Sequence, residues 1–274
     1  MLLGKENPMA LNLLSLKPIK RSKGQDAVAS AAYRSAEKLH NTRNDITHDF
    51  TRKRDIVHTA IMIPEHAPDE FFDRETLWNT VEHAEKRKDS RVAKEIVLAL
   101  PRELSLETSI SMVKEFVSKC FIPLGMCADI AVHIGRSKDR QHTESVHDKN
   151  HLHNPHCHIM LTDRPVDKDG FCPKKNPDWN SVQHLKGWRR EWATIQNKTF
   201  ERKGLAVRVS HESYKKRNID RESTKHLGPV AMAMERRGIK TAHGNENRAI
   251  MKRNSERDKQ QHERKLNRVC GKSR

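Results

Sequence analysis

Residues 154–164 read NPHCHIMLTDR, and the seven from His156 to Thr162 alternate so that His156 and His158 share one side of an extended strand while Cys157 takes the other. Asn154-Pro155 biases the preceding chain toward extended geometry and fixes where the pair begins. Residues 127–134 (CADIAVHI) alternate in the same way and carry His133 near their end. If the two segments are antiparallel neighbours, three imidazoles converge on one face.

Working outward, residues 11–16, 55–63 and 92–100 read as further strands, the last two closed by Pro64 and Pro101. In 92–100 (VAKEIVLAL), Ile96 and Leu98 fall on one side and Glu95 on the other. The Ala-rich run DAVASAAYRSAEKLH predicts a helix from an Asp26 cap to about Leu39. Apolar spacing predicts helices over about 73–87, 107–118 and 185–203. Neither a GxxxxGK loop nor a G-x-G-x-x-G turn is present. The order β-α-β-α-β-α-β-β-α predicts an α+β domain with one sheet partly covered by helices. Trp188 and Trp192, one turn apart, are expected in its core.

The domain organisation expected is a short lead (1–9), a domain over 10–243 and a basic helical or flexible tail over 244–274. The last 30 residues, 245–274, hold 10 Lys or Arg against 4 Asp or Glu. Over 274 residues, 53 Lys and Arg stand against 36 Asp and Glu, a net charge of +17. Such a chain attracts polyanions, of which nucleic acid is the commonest. Mean hydropathy is −0.88, and no stretch is long and apolar enough for a membrane span. The N-terminus also lacks the order of a secretory signal, so no membrane insertion and a cytoplasmic location are expected. The five Cys, without a C-x2-C pair, read as reduced thiols.

Three neutral imidazoles suit Mn²⁺, Mg²⁺ or Zn²⁺ and leave positions for a substrate oxygen. A cation so held draws electron density from a phosphoryl group. His142, His147, His151 and His153, in the polar loop between the two strands, compete with His133 for the third place. Only two tyrosines occur, Tyr214 in a basic segment and Tyr33 in the Ala-rich helix. A phenol with its ordinary pKa of about 10 needs a nearby cation or base to act as a nucleophile. The alternative use of Tyr33 is packing.

The segments GQDAVASAAYRSAEKL (24–39), KEIVLALPREL (94–104) and NPHCHIMLTDR (154–164), with HLGP (226–229) and ERRGIKT (235–241), together resemble the MobA/MobL family of plasmid mobilization relaxases. The resemblance implies an HUH-type fold: about five antiparallel strands with helices packed on one face and DNA across the other. It implies a metal-dependent tyrosine DNA endonuclease and strand transferase acting on single-stranded DNA at a plasmid transfer origin. Tyr33 would be the nucleophile, and His133, His156 and His158 would hold a divalent metal ion. Glu82 and Glu95 match acids in similarly placed segments. Accessory relaxosome proteins and a secretion coupling protein are the implied partners. Lys20, Arg21, Lys23, Arg34 and Arg164 are the basic residues expected to meet phosphates.

The chain departs from the family pattern in a longer loop between His133 and His156 and in lacking a Tyr-His in its first strand. Larger relatives carry a helicase or primase domain after the nuclease, whereas only a basic tail follows here, so unwinding would come from another protein, or the sequence is a truncation of a longer product. Rolling-circle replication or transposition would use the same chemistry. A non-enzymatic basic DNA-binding protein would need the charge alone.

Overall fold

A computed structural model describes residues 12–135 and 153–270. The lead 1–9 and the loop histidines His142, His147 and His151 lie outside the described residues. The described chain divides after His211 into two compact units.

The first unit is built on one sheet, order β1-β5-β7-β6-β4, with each neighbouring pair antiparallel. Its strands are β1 (Leu14–Lys20), β4 (Ile56–Met62), β5 (Arg91–Ala99), β6 (Ala128–Gly135) and β7 (His153–Thr162). Helices α3 (Leu106–Cys120) and α4 (Val182–Arg202) pack on one face of it. There Ile96, Leu98, Ile130, Val132, Cys157, Ile159 and Leu161 meet Phe116, Trp188 and Trp192 in a buried core. Both tryptophans are buried there, as the helical spacing implies. Lys94 is drawn into the same layer, with its ammonium 3.1 Å from an Asp163 carboxylate and 5.1 Å from the Trp179 ring centre.

On the opposite face, α1 (Ala27–Ser35) and α2 (Arg74–Ala84) cover one end of the sheet. The core side chains of α1 are Ala27, Val28, Ala31 and Ala32. A fully buried Val, Leu or Phe stabilises by roughly 1.5–3 kcal/mol, and the three alanines contribute less each. Polar contacts add to the docking of α1. The α2 helix is fixed through Asp129 of β6, which accepts hydrogen bonds from Arg74 and from Trp78 Nε1, each at 2.9 Å.

The expected helix to Leu39 stops at Ser35. Ala36 turns left-handed (φ 59°), and its N–H caps the Ala32 carbonyl. The chain then forms a hairpin of β2 (Lys38–Asn41) and β3 (Ile46–Asp49), which the sequence reading did not foresee. The first strand also begins later than expected, at Leu14. Small two-stranded pairs β8 (Val166–Asp167) and β9 (Gly170–Phe171) follow β7.

The second unit holds α5 (Gly228–Arg236) and the 29-residue α6 (Ala242–Cys270). Residue 243, the expected end of the main domain, lies in the first turn of α6. Ion pairs Arg253–Glu222, Arg248–Glu235 and Lys225–Glu246 join α6 to the residues before it. Among the described residues no helix is long and apolar enough to cross a membrane. Cys120, Cys127, Cys157 and Cys172 are free thiols.

Candidate metal centre and tyrosine helix

Antiparallel pairing of β6 with β7 sets His133 directly opposite His156, and Ala131 opposite His158. One ring nitrogen from each histidine lies within 4.8 Å of the others. Ring centres are 4.8 to 5.3 Å apart. His133 is buried, whereas His156 and His158 are half-buried. Cys157, between the two, is fully buried on the reverse face. Nothing is described for the His153 side chain.

Each imidazole uses its other nitrogen to hold its place. His156 Nδ1 donates to the Asn154 carbonyl at 2.8 Å, and His133 Nε2 donates to the Arg34 carbonyl at 2.7 Å. His158 Nδ1 donates to Glu95 Oε1 at 2.6 Å. A carboxylate or carbonyl behind an imidazole fixes its tautomer and raises its strength as a ligand. Burial lowers the proton affinity of His133 to a pKa of about 4, against the effect of the Arg34 carbonyl; the charges of His158, Lys53 and His156 lower it further. His156 is lowered mainly by burial as well. Neutral imidazoles are the form that binds a metal, and this donor set fits a divalent cation.

Burial by itself would push the Glu95 carboxyl up. Hydrogen bonds from His158 and Arg34, with their charges, overcome that and hold it at about 2. Arg34 Nε donates to the same Glu95 oxygen at 2.6 Å, and a terminal Arg34 nitrogen donates to the Ser30 carbonyl at 2.6 Å. Arg34 therefore ties α1 to the histidines twice, by its carbonyl at His133 and by its guanidinium at Glu95. The residue before it is Tyr33.

Tyr33 is 49% exposed although it sits on a docked helix. Its ring meets Phe50 edge to face at 5.2 Å, and the Lys53 ammonium lies 3.7 Å from the ring centre. Neither Phe50 nor Lys53 stood out in the sequence; the signal was the compact run DFTRKR (49–54) just before β4.

Other expected site residues lie elsewhere. Glu82 is fully buried on α2, where it accepts from Arg21 Nε at 3.0 Å and from the Ala27 N–H at 2.6 Å. It anchors the start of α1 and is not a member of the histidine cluster. Arg21 spends its guanidinium on Glu82 and on the Glu82, Glu85 and Arg87 carbonyls. Arg164 pairs with Glu85 at 2.7 Å and bonds the Cys172 and Pro173 carbonyls. These two arginines and Arg34 are all engaged within the protein. Lys23 is exposed and Lys20 half-buried.

A five-stranded antiparallel sheet thus presents converging imidazoles beside a docked, tyrosine-bearing helix. The MobA/MobL family model matches residues 25–237, and the chain belongs to that family. It is 34% identical over 247 residues to the mobilization protein MobL of Acidithiobacillus ferridurans, covering 84% of this chain and 65% of that protein. Against the probable conjugal transfer protein TraA of Sinorhizobium fredii, identity is 32% over 259 residues, 84% of this chain and 22% of the relative. The chain thus spans only part of these curated relatives. A solved structure described as the molecular basis of vancomycin resistance transfer in Staphylococcus aureus matches with a TM-score of 0.65 at 33% identity. That match covers 76% of this chain and 100% of the other.

Proposed function

We propose that this chain nicks one strand of DNA at a plasmid transfer origin and can rejoin it, with Tyr33 as nucleophile. The observation that carries the reading is the double tie through Arg34, which bonds the Tyr33-bearing helix to both His133 and the Glu95–His158 pair. A nucleophile must be held against its electrophile for the reaction to be effectively intramolecular, and such orientation lowers a barrier by several kcal/mol.

His133, His156 and His158 hold the divalent cation, which when bound supplies Lewis-acid stabilisation of charge on the phosphoryl oxygens. Mn²⁺ or Mg²⁺ suits the task best, with Zn²⁺ also compatible with three imidazoles. The phenolic oxygen of Tyr33 attacks phosphorus in line and gives up its proton. The bond from phosphorus to the 3′ oxygen breaks, and that oxygen leaves as a 3′-hydroxyl once protonated. A 5′-phosphotyrosyl ester remains, and attack by a 3′-hydroxyl reverses the exchange without an external energy source. Glu95 stays ionised throughout and keeps His158 and Arg34 in place. Single-stranded DNA at the origin, accessory relaxosome proteins and a coupling protein of the secretion machinery complete the reading, with the reaction in the bacterial cytoplasm.

The test uses labelled single strands tiled across both strands of the DNA flanking the chain's own gene, incubated with the protein and Mn²⁺ or Mg²⁺. A covalent protein–DNA band that chelator prevents and Tyr33→Phe abolishes is the expected result. Salt-sensitive retention of every strand with no covalent band would instead make this a non-enzymatic DNA-binding protein, held by its net charge of +17.

A further inference from the structure

Tyr33 sits in the last turn of α1, so its carbonyl is one of the four that the helix cannot satisfy internally. Lys53 supplies the missing partner: its ammonium donates to the Tyr33 carbonyl at 2.7 Å. The same ammonium lies over the face of the Tyr33 ring, 3.7 Å from its centre, while Phe50 closes on the ring at an interplanar angle of 89°. A cation at a helix C-terminus and a cation over an aromatic face are each favourable, and here one group does both.

The turn that carries Phe50 and Lys53 is itself pinned. Phe50 N–H donates to the Glu37 carbonyl at 3.1 Å, and Lys53 N–H closes back on the Phe50 carbonyl at 3.0 Å. Asp49 accepts from the Thr51 N–H at 3.0 Å and from its hydroxyl at 2.7 Å. An exposed tyrosine ordinarily samples several rotamers, whereas this one is gripped at its ring and its carbonyl by a stiff neighbouring turn.

We propose that Lys53 is a positioning residue for the Tyr33 phenol, with Phe50 as the opposing wall. This rests on the reading of Tyr33 as the nucleophile. Lys53 exchanges no proton in the reaction; it orders the ring before DNA is present.

The test begins with Tyr214→Phe, which leaves Tyr33 as the sole tyrosine. Incorporated 3-fluorotyrosine then gives one ¹⁹F resonance from the metal-free, DNA-free protein. Lys53→Met keeps the aliphatic stem and removes the charge; it is expected to shift and sharpen that line. It should also slow covalent-adduct formation at saturating DNA by about 30-fold, the order that loss of orientation costs. Lys53→Arg should keep the line in place and the rate within about threefold. DNA affinity and its salt dependence should hardly move in either variant, because no phosphate contact is lost before the reacting geometry forms.

An unmoved ¹⁹F line in Lys53→Met overturns the proposal whatever happens to the rate. So does an unchanged adduct rate, or a salt slope reduced by about one with the saturated rate intact, which would make Lys53 a phosphate tether. If the parent forms no adduct with any tiled strand, the proposed function falls. The ¹⁹F comparison still decides whether Lys53 orders the ring.

Discussion

The two faces of β7 use the same backbone for opposite ends. Cys157, Ile159 and Leu161 point into the core beneath α3 and α4, where fit is set by volume alone. His156 and His158 point the other way, where every imidazole is held by a named hydrogen bond and half-exposure leaves room for a substrate. One face tolerates any apolar group of the right size, whereas the other depends on particular nitrogens. Rigidity on the first face keeps the second within the few tenths of an ångström that ligation demands.

The largest effect expected is on the site face. His156→Ala with His158→Ala should lower nicking by at least about 10³-fold and abolish Mn²⁺ binding read by EPR. Most salt-dependent DNA affinity should survive, as measured by fluorescence anisotropy. On the core face, Ile159→Ala should cost about 3 kcal/mol in urea unfolding yet leave nicking per folded molecule nearly unchanged. If the core variant loses catalysis as deeply as the histidine pair, the two faces are not separable.

Glu95→Gln sharpens the comparison, because it alters the support of His158 without removing a ligand. Mn²⁺ affinity is expected to fall by roughly 10- to 100-fold, measured by EPR titration. Replacing Tyr214 by Phe should leave nicking within about twofold of the parent in the adduct assay; a deep loss would move the nucleophile away from Tyr33.

The smallest effect is on pH dependence in the presence of chelator. His133, at about 4 in the fold, and His156, also lowered, take up protons near 6.5 once unfolded. Between those values the unfolded chain binds more protons, so stability is complete above about pH 6.5 and declines as the pH falls toward 4. Glu95, held at about 2 against an ordinary 4.5, adds a further loss below 4.5. The thermal midpoint should drop by about 5 °C between pH 7 and pH 5, and the drop should shrink in a His133→Asn variant.

Much of this was legible in the chain. Alternation in 127–134 and 156–162 identified both strands and the face of each histidine, since side chains in a strand change sides at every residue. The hairpin after α1 was not legible. SAEKLH favours helix locally, whereas after Ala36 the chain pairs β2 with β3, a contact between residues about 5 to 11 apart. The roles of Arg21, Arg34, Arg164 and Glu82 were hidden for a related reason. Their partners, except the Ser30 carbonyl at Arg34, lie elsewhere in the chain or across a turn, and a formal charge reveals neither burial nor partner.

The sequence alone determined the periodicity, and with it the strands, most helices and the chemical kinds of donor on offer. Tertiary structure decided which donors meet: the β6–β7 register that aligns His133 with His156, the docking of α1 through Arg34, and the turn that sets Lys53 over Tyr33. Periodicity is a local property of the backbone, while each of those meetings joins groups 20 to 99 residues apart and exists only once the intervening chain has closed around its core.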